Sequence, residues 1–189
     1  MLAGHTPLVV VLPTGGGKTL LFMVPVCLGD PGVTVVVVPF RALLGNMVGR
    51  MKEAGIDYVE WKAGEVNPVT TVVVSADRAA EWDFMDYASQ LNRDKLLRRV
   101  VIDECHLAFT VSDWRPKLAR LKNLRLLQCP IVLLTATLPP LLEHELSEAM
   151  LIPLATYIRA STVRPSTRYS AQWCVLGKAR ETALAVCGR

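Results

Sequence analysis

Aliphatic residues fall along this chain in short unbroken runs. Leu8–Leu12 reads LVVVL, Val33–Val38 VTVVVV, Val69–Val74 VTTVVV and Ile131–Thr135 IVLLT, while Val100–Ile102 follows the pair Arg98-Arg99. Each run is continuous rather than alternating, the pattern of a strand covered on both faces. Longer stretches of helical character separate them: Lys18–Leu28, Arg41–Ala54, Phe84–Leu97, Lys117–Leu127 and Leu141–Met150. Strand alternating with helix predicts an α/β domain on a mostly parallel sheet. Gly and Pro punctuate the boundaries at Asp30-Pro31-Gly32, Ala63-Gly64, Asn67-Pro68, Cys129-Pro130 and Pro139-Pro140.

After Pro153 the pattern changes. The segment 160–170 (ASTVRPSTRYS) is polar and contains Pro165, so residues 154–170 are expected to form a linker between a domain at 1–153 and a stub at 171–189. Within the stub, Gln172–Leu176 has the composition of one more strand and Lys178–Cys187 that of one more helix. One strand and one helix bury no core by themselves.

Composition narrows the class without deciding it. Half of the residues are hydrophobic (51%) and 20% are charged, which supports a folded core and argues against a disordered tail. The formal charge of +4 is compatible with a nucleic-acid partner and equally with a surface balanced for solubility. Five cysteines without a CxxC pair suggest neither a disulfide framework nor a zinc site. Reduced cysteines in an intracellular protein are the reading they support. No basic segment followed by an apolar stretch opens the chain, and no apolar run approaches the roughly 20 residues of a membrane helix.

Candidate chemistry begins directly after the first strand, at Leu12-Pro13-Thr14-Gly15-Gly16-Gly17-Lys18-Thr19. Three glycines let the backbone wrap a phosphate with its N–H groups turned inward, and the start of the following helix adds partial positive charge. Thr14, Gly15, Gly16 and Gly17 would form this cradle. Lys18 would reach the β- and γ-phosphates, and the Thr19 hydroxyl would hold Mg²⁺. The general pattern GxxxxGK[ST] asks for glycine where this chain has Leu12.

Some 85 residues on, Val100-Val101-Ile102-Asp103-Glu104-Cys105-His106 sets two carboxylates at the end of a buried strand, where ligands sit in open parallel sheets. Asp103 would hold Mg²⁺, and Glu104 would orient and polarise the attacking water. His106 beside them is assigned to relaying nucleotide state, against the alternative of a polar residue at a strand end. A third element, Thr135-Ala136-Thr137, ends another strand. Its hydroxyls would bond the acidic pair and transmit hydrolysis to a bound strand, or Thr137 caps the next helix.

Together LPTGGGKT, VIDECH and TAT resemble the first RecA-like domain of superfamily 2 (DEAD/DEAH-box type) helicases. They most resemble the RecQ branch, with its PTGGGK[ST] loop and DECH motif. The resemblance spans roughly residues 8–170, and that branch also lacks the first glycine. It implies a RecA-like, three-layer P-loop NTPase fold, ATP and Mg²⁺ as cofactors, and single-stranded or forked DNA as partner, with RNA left open. It further implies 3′-to-5′ polarity, a nuclear location in a eukaryote, and a second RecA-like domain that supplies an arginine finger. Two weaker segments fit. Val37–Leu43, with Arg41, resembles motif Ia; Val74–Arg78, with Ser75, Asp77 and Arg78, resembles motif Ib, with Asp77 where glutamate is common. Arg41 and Arg78 would touch nucleic-acid phosphates or simply be solvated.

The family also reads adenine through an upstream glutamine, and no Gln lies among the seven residues before the first strand. Trp61, Trp82, Trp114 and Trp173 are expected to pack rather than stack on bases, and Lys117, Arg120, Lys122 and Arg125 to form the solvated face of an amphipathic helix. Three functions compete. One is a nucleic-acid-dependent ATPase unable to unwind by itself, and another is a catalytically weak binding module. The third is a P-loop small-molecule kinase, against which the DECH and TAT segments argue.

Overall fold

The computed structural model describes residues 6–28, 32–66, 69–111, 116–162, 167, 171 and 173–187. Seven strands form one sheet: β1 (Leu8–Val11), β2 (Val33–Val38), β3 (Tyr58–Glu60), β4 (Thr71–Ser75), β5 (Leu97–Ile102), β6 (Ile131–Thr135) and β7 (Thr156–Arg159). The order across the sheet is β3-β4-β2-β5-β6-β1-β7, and every neighbouring pair is parallel. The helices are α1 (Leu20–Cys27), α2 (Arg41–Glu53), α3 (Ala76–Ala79), α4 (Trp82–Arg93), α5 (Leu107–Thr110), α6 (Glu143–Met150) and α7 (Ala179–Cys187), with 3-10 turns at Leu118–Leu127 and Pro140–Leu142.

The unbroken valine runs have a direct structural cause. Successive strand residues point to opposite faces, and both faces are covered. Leu8, Val10, Val36, Val38, Val101 and Leu134 pack with Phe22 and Met23 of α1 and Leu44, Met47 and Met51 of α2. The alternate set, including Val9, Val11, Val35, Val37, Val100 and Ile102, packs with Phe84 of α4, Leu121 of the long 3-10 helix and Leu146 of α6. The result is three layers, helix–sheet–helix. Each fully buried Val or Leu contributes about 1.5–3 kcal/mol relative to exposure, so the two faces together supply the main driving force.

The sheet expected as mostly parallel is parallel throughout. Other expectations need correction: its two edge strands, β3 and β7, were not foreseen. They are short and half-exposed, so they lack the apolar density that marks the inner strands. β7 lies inside the expected linker 154–170, so residues 156–159 belong to the sheet. β5 starts at Leu97 and takes in Arg99, which is buried and donates from Nη1 to Thr34 Oγ1 at 3.2 Å. The helix expected over Phe84–Leu97 accordingly ends at Arg93. Residues 173–176 of the expected strand Gln172–Leu176 form no strand and pair with neither sheet edge, whereas the helix after it is present as α7. Trp61 packs as expected, edge-on to Phe84 with ring centroids 5.1 Å apart. Trp82 and Trp173 are exposed. Expectations resting on residues 1–5, Asp30-Pro31, Asn67-Pro68, Trp114, Pro165 and Gln172 lie outside the described residues.

Candidate active site

The inner strands β2, β5, β6 and β1 are consecutive neighbours and end at the same edge of the sheet. Their ends border a cleft of about 760 Å³ lined by Lys18, Thr19, Asp103 and Glu104, floored by Val38 and Leu134, and walled by Asn46, Arg50 and Glu53 of α2. Thr14, Gly15 and Gly17 line it as well.

The loop after β1 is shaped by its glycines. Gly15 and Gly17 have φ of +80° and +81°, the left-handed region that side chains disfavour. At Gly16 the obstacle is space, since a Cβ would stand 2.9 Å from the Pro13 carbonyl oxygen. Gly16 N–H donates to that same oxygen at 2.9 Å and closes the turn. Helical bonding starts with Leu20 N–H donating to Gly17 O at 2.9 Å. The N–H groups of Gly17, Lys18 and Thr19 are therefore the orphan donors of the helix start, which suit an anion. Lys18 Nζ folds back and donates to Leu12 O (3.2 Å) and Pro13 O (3.4 Å). Thr19 Oγ1 accepts from Arg50 Nη1 at 3.0 Å.

Across the cleft, Asp103 N–H donates to Val37 O at 2.9 Å and continues the β5 ladder by one residue. Burial, and next the neighbouring Glu104 charge, raise the Asp103 carboxyl above the usual aspartate range; the Glu104 N–H, Lys18 and Arg50 counteract this. Glu104 itself holds φ +47°, a strained conformation for a residue with a side chain, of the kind that gathers at functional sites.

A second cluster joins the acidic pair to the end of β6. Thr135 Oγ1, fully buried, lies 2.9 Å from His106 Nδ1, accepts from Thr137 N–H at 3.1 Å and donates to Glu104 Oε2 at 3.5 Å. Thr137 Oγ1 sits 3.3 Å from both ring nitrogens of His106. Burial lowers the His106 pKa and outweighs the opposing pull of Glu104 at 3.4 Å, so the neutral imidazole is favoured between the two threonine hydroxyls. Thr137 does not cap a helix: its N–H turns back to Thr135.

Oxygen donors dominate the cleft. Among the described residues no group of three or more His, Cys, Asp or Glu gathers as an all-protein metal cage. One hydroxyl and one carboxylate facing an anion cradle suit Mg²⁺, which is held by one or two protein oxygens with water and phosphate. Cys27, Cys105, Cys129 and Cys174 are free and none of them lines the cleft, and burial lifts the Cys105 thiol far above its ordinary range.

The motif-like arginines stand apart from the cleft. Arg41 opens α2 at the end of β2 and is exposed. Arg78, in α3 after β4, donates to Glu81 at 2.7 Å, and Lys117 bonds the same carboxylate at 3.0 Å. Ser75 is buried at the end of β4, Asp77 is half-buried, and Ala136 is 9% exposed. Asn46, Arg50 and Glu53 were missed. Their signal is a polar stripe at spacings of four and three on a helix that buries Leu44, Met47 and Met51.

The sequence profile of the DEAD/DEAH box helicase family matches residues 1–144. Among curated proteins, the RecQ-like DNA helicase blm-1 of Caenorhabditis elegans is 33% identical over 196 residues, an alignment covering 89% of this chain and 19% of that protein. The RecQ-like DNA helicase BLM of Xenopus laevis is 28% identical, covering 85% of this chain and 13% of that protein. The chain thus spans less than a fifth of these relatives. Among solved structures, the DUF1998 helicase MrfA bound to DNA and AMPPNP superposes with a TM-score of 0.63 at 20% identity, covering 84% of this chain and 25% of the other. The helicase Lhr of Mycobacterium smegmatis, bound to ssDNA and AMP-PNP, gives 0.59 at 20% identity, covering 83% and 24%. At these identities the likeness is one of fold.

Proposed function

The chain belongs to the DEAD/DEAH box helicase family, and from that premise we propose that it is the ATP-binding domain of a RecQ-like DNA helicase, hydrolysing ATP in response to single-stranded or forked DNA. The observation that carries this is the meeting of Lys18, Thr19, Asp103 and Glu104 on one cleft at the carboxyl edge of the sheet. Lys18 would leave its carbonyl partners for the β- and γ-phosphates. Thr19 and Asp103 would hold Mg²⁺, which when bound neutralises charge on the phosphates. Glu104 would position the attacking water, and its bond to Thr135 ties that carboxylate to Thr137 and His106, a route by which the state of the nucleotide reaches the rim. In a eukaryotic cell this activity belongs in the nucleus.

Unwinding needs a second RecA-like domain that closes over the nucleotide and supplies an arginine finger, a contribution of about 10³–10⁵ in turnover where it has been measured. The 189-residue chain tested alone is expected to separate strands poorly. A second reading, a module that binds nucleotide and nucleic acid with scant hydrolysis, is favoured by the same dependence on an outside finger.

Steady-state ATPase assays with and without single-stranded DNA decide between them. DNA-stimulated turnover that disappears in Lys18→Ala and Glu104→Gln supports the enzyme. Nucleotide binding without turnover supports the module. Unwinding by the chain alone at a rate typical of complete helicases would contradict the two-domain requirement.

A further inference from the structure

α2 has two duties. One side packs Leu44, Met47 and Met51 against the sheet. Asn46, Arg50 and Glu53 face the cleft, and among them Arg50 makes a bond with the phosphate loop itself, from Nη1 to Thr19 Oγ1 at 3.0 Å across 31 positions of sequence. A surface arginine loses side-chain entropy when it is fixed in one direction. This one is directed onto the Thr19 hydroxyl, the loop oxygen assigned above to the metal.

Two properties of this contact point the same way. First, a hydroxyl oxygen bound to a divalent cation cannot hold a guanidinium at 3.0 Å without setting two cations side by side, so the two occupants exclude one another. Second, Arg50 lines the same cleft as Lys18, Asp103 and Glu104, within the space a triphosphate would fill. A planar guanidinium placed there matches the oxygens of a phosphate better than an ammonium does.

We propose that Arg50 is a nucleotide-binding residue that competes with the divalent cation for the Thr19 oxygen and shifts onto the phosphates when the cation takes that position. The competition sets a threshold. Nucleotide without metal is held by Arg50 and the loop, and the metal enters only at concentrations that displace the guanidinium. This inference rests on the nucleotide site proposed above, and its failure can be told apart from failure of that site.

The test is binding, not turnover. A fluorescent ATP analogue is titrated against wild type, Arg50→Ala, Arg50→Lys and Lys18→Ala, first in EDTA and then across a Mg²⁺ series. Arg50→Ala is expected to weaken metal-free binding about tenfold, the scale of one charge-assisted hydrogen bond. It is also expected to lower the Mg²⁺ concentration at half effect several-fold. Arg50→Lys should fall between, keeping the charge but not the fork. Arg50 is exposed, so a melting curve at the wild-type temperature will certify the fold of both variants. If metal-free affinity and Mg²⁺ midpoint both stay at wild-type values in Arg50→Ala, the proposal is overturned. A loss of affinity that is equal at every Mg²⁺ concentration overturns the competition as well. If wild type binds no nucleotide under any condition, the phosphate site itself has failed, and that is known before any variant is compared.

Discussion

Asp103 is held at the cleft by its backbone bond to β2, half-buried beside Glu104. Desolvation and then the Glu104 charge raise its pKa in the folded chain. The sign of the consequence follows from proton binding. Between the unfolded value, about 3.9, and the higher folded one, the folded chain holds more protons than the unfolded chain, so stability falls as pH rises through that window. At neutral pH in metal-free buffer the ionised carboxylate therefore weighs against the fold. Asp103→Asn keeps the acceptor oxygen for the Glu104 N–H and removes the charge. It is expected to abolish turnover and yet to melt above wild type at pH 7, with the difference narrowing as pH is lowered towards 4. Equal or lower melting at pH 7 would refute this account of the site. Asp103 was legible in the sequence because a carboxylate pair after an apolar strand is a local signal. Arg50 was not, because its role depends on two helices being neighbours.

The segment Leu118–Leu127 is helical, as its amphipathic pattern predicts, but of a tighter kind. Its apolar stripe and basic face were expected as an amphipathic α-helix. The buried residues are Leu118, Leu121, Leu124 and Leu127, spaced by three, and the segment folds as a 3-10 helix closed by Gln128 at φ +51°. Three residues per turn align such a stripe on one side, whereas 3.6 would rotate it away. The register is testable by denaturant unfolding. Leu124→Ala, at a position with no exposure, is expected to cost about 2–5 kcal/mol. Leu126→Ala, at 73% exposure, is expected to change stability by no more than about 0.5 kcal/mol. Comparable losses at both sites would contradict the 3-10 register. The edge strands β3 and β7 were missed for a related reason. A strand with one open side needs little apolar sequence, so its evidence lies in the neighbour it pairs with.

On the scale of the whole molecule, the strand order arranges the motifs along one edge in the sequence β4, β2, β5, β6, β1. Arg78 follows β4, Arg41 follows β2, Asp103 and Glu104 follow β5, Thr135 to Thr137 close β6, and the phosphate loop leaves β1. The motifs could be listed from the chain, and the inner strands with them, but their order along the edge could not. It is set by which strands pair. In that order the segments likened to nucleic-acid motifs occupy neighbouring strand ends beside the acidic pair, so a bound strand crossing β4 and β2 would run next to the proposed hydrolysis site. Arg41 is exposed there, while Arg78 shares Glu81 with Lys117. Arg41 is thus the freer charge for a phosphate. Arg41→Ala is expected to weaken single-stranded DNA binding alike for all base sequences and to reduce the slope of log affinity against log salt by about 0.7, the value for one lost phosphate contact on a single strand. Arg78→Ala should change the slope less, since its guanidinium is already engaged by a carboxylate. An unchanged slope in Arg41→Ala, or a loss confined to particular base sequences, would remove Arg41 from the nucleic-acid path and leave the β2 end without a contact to offer.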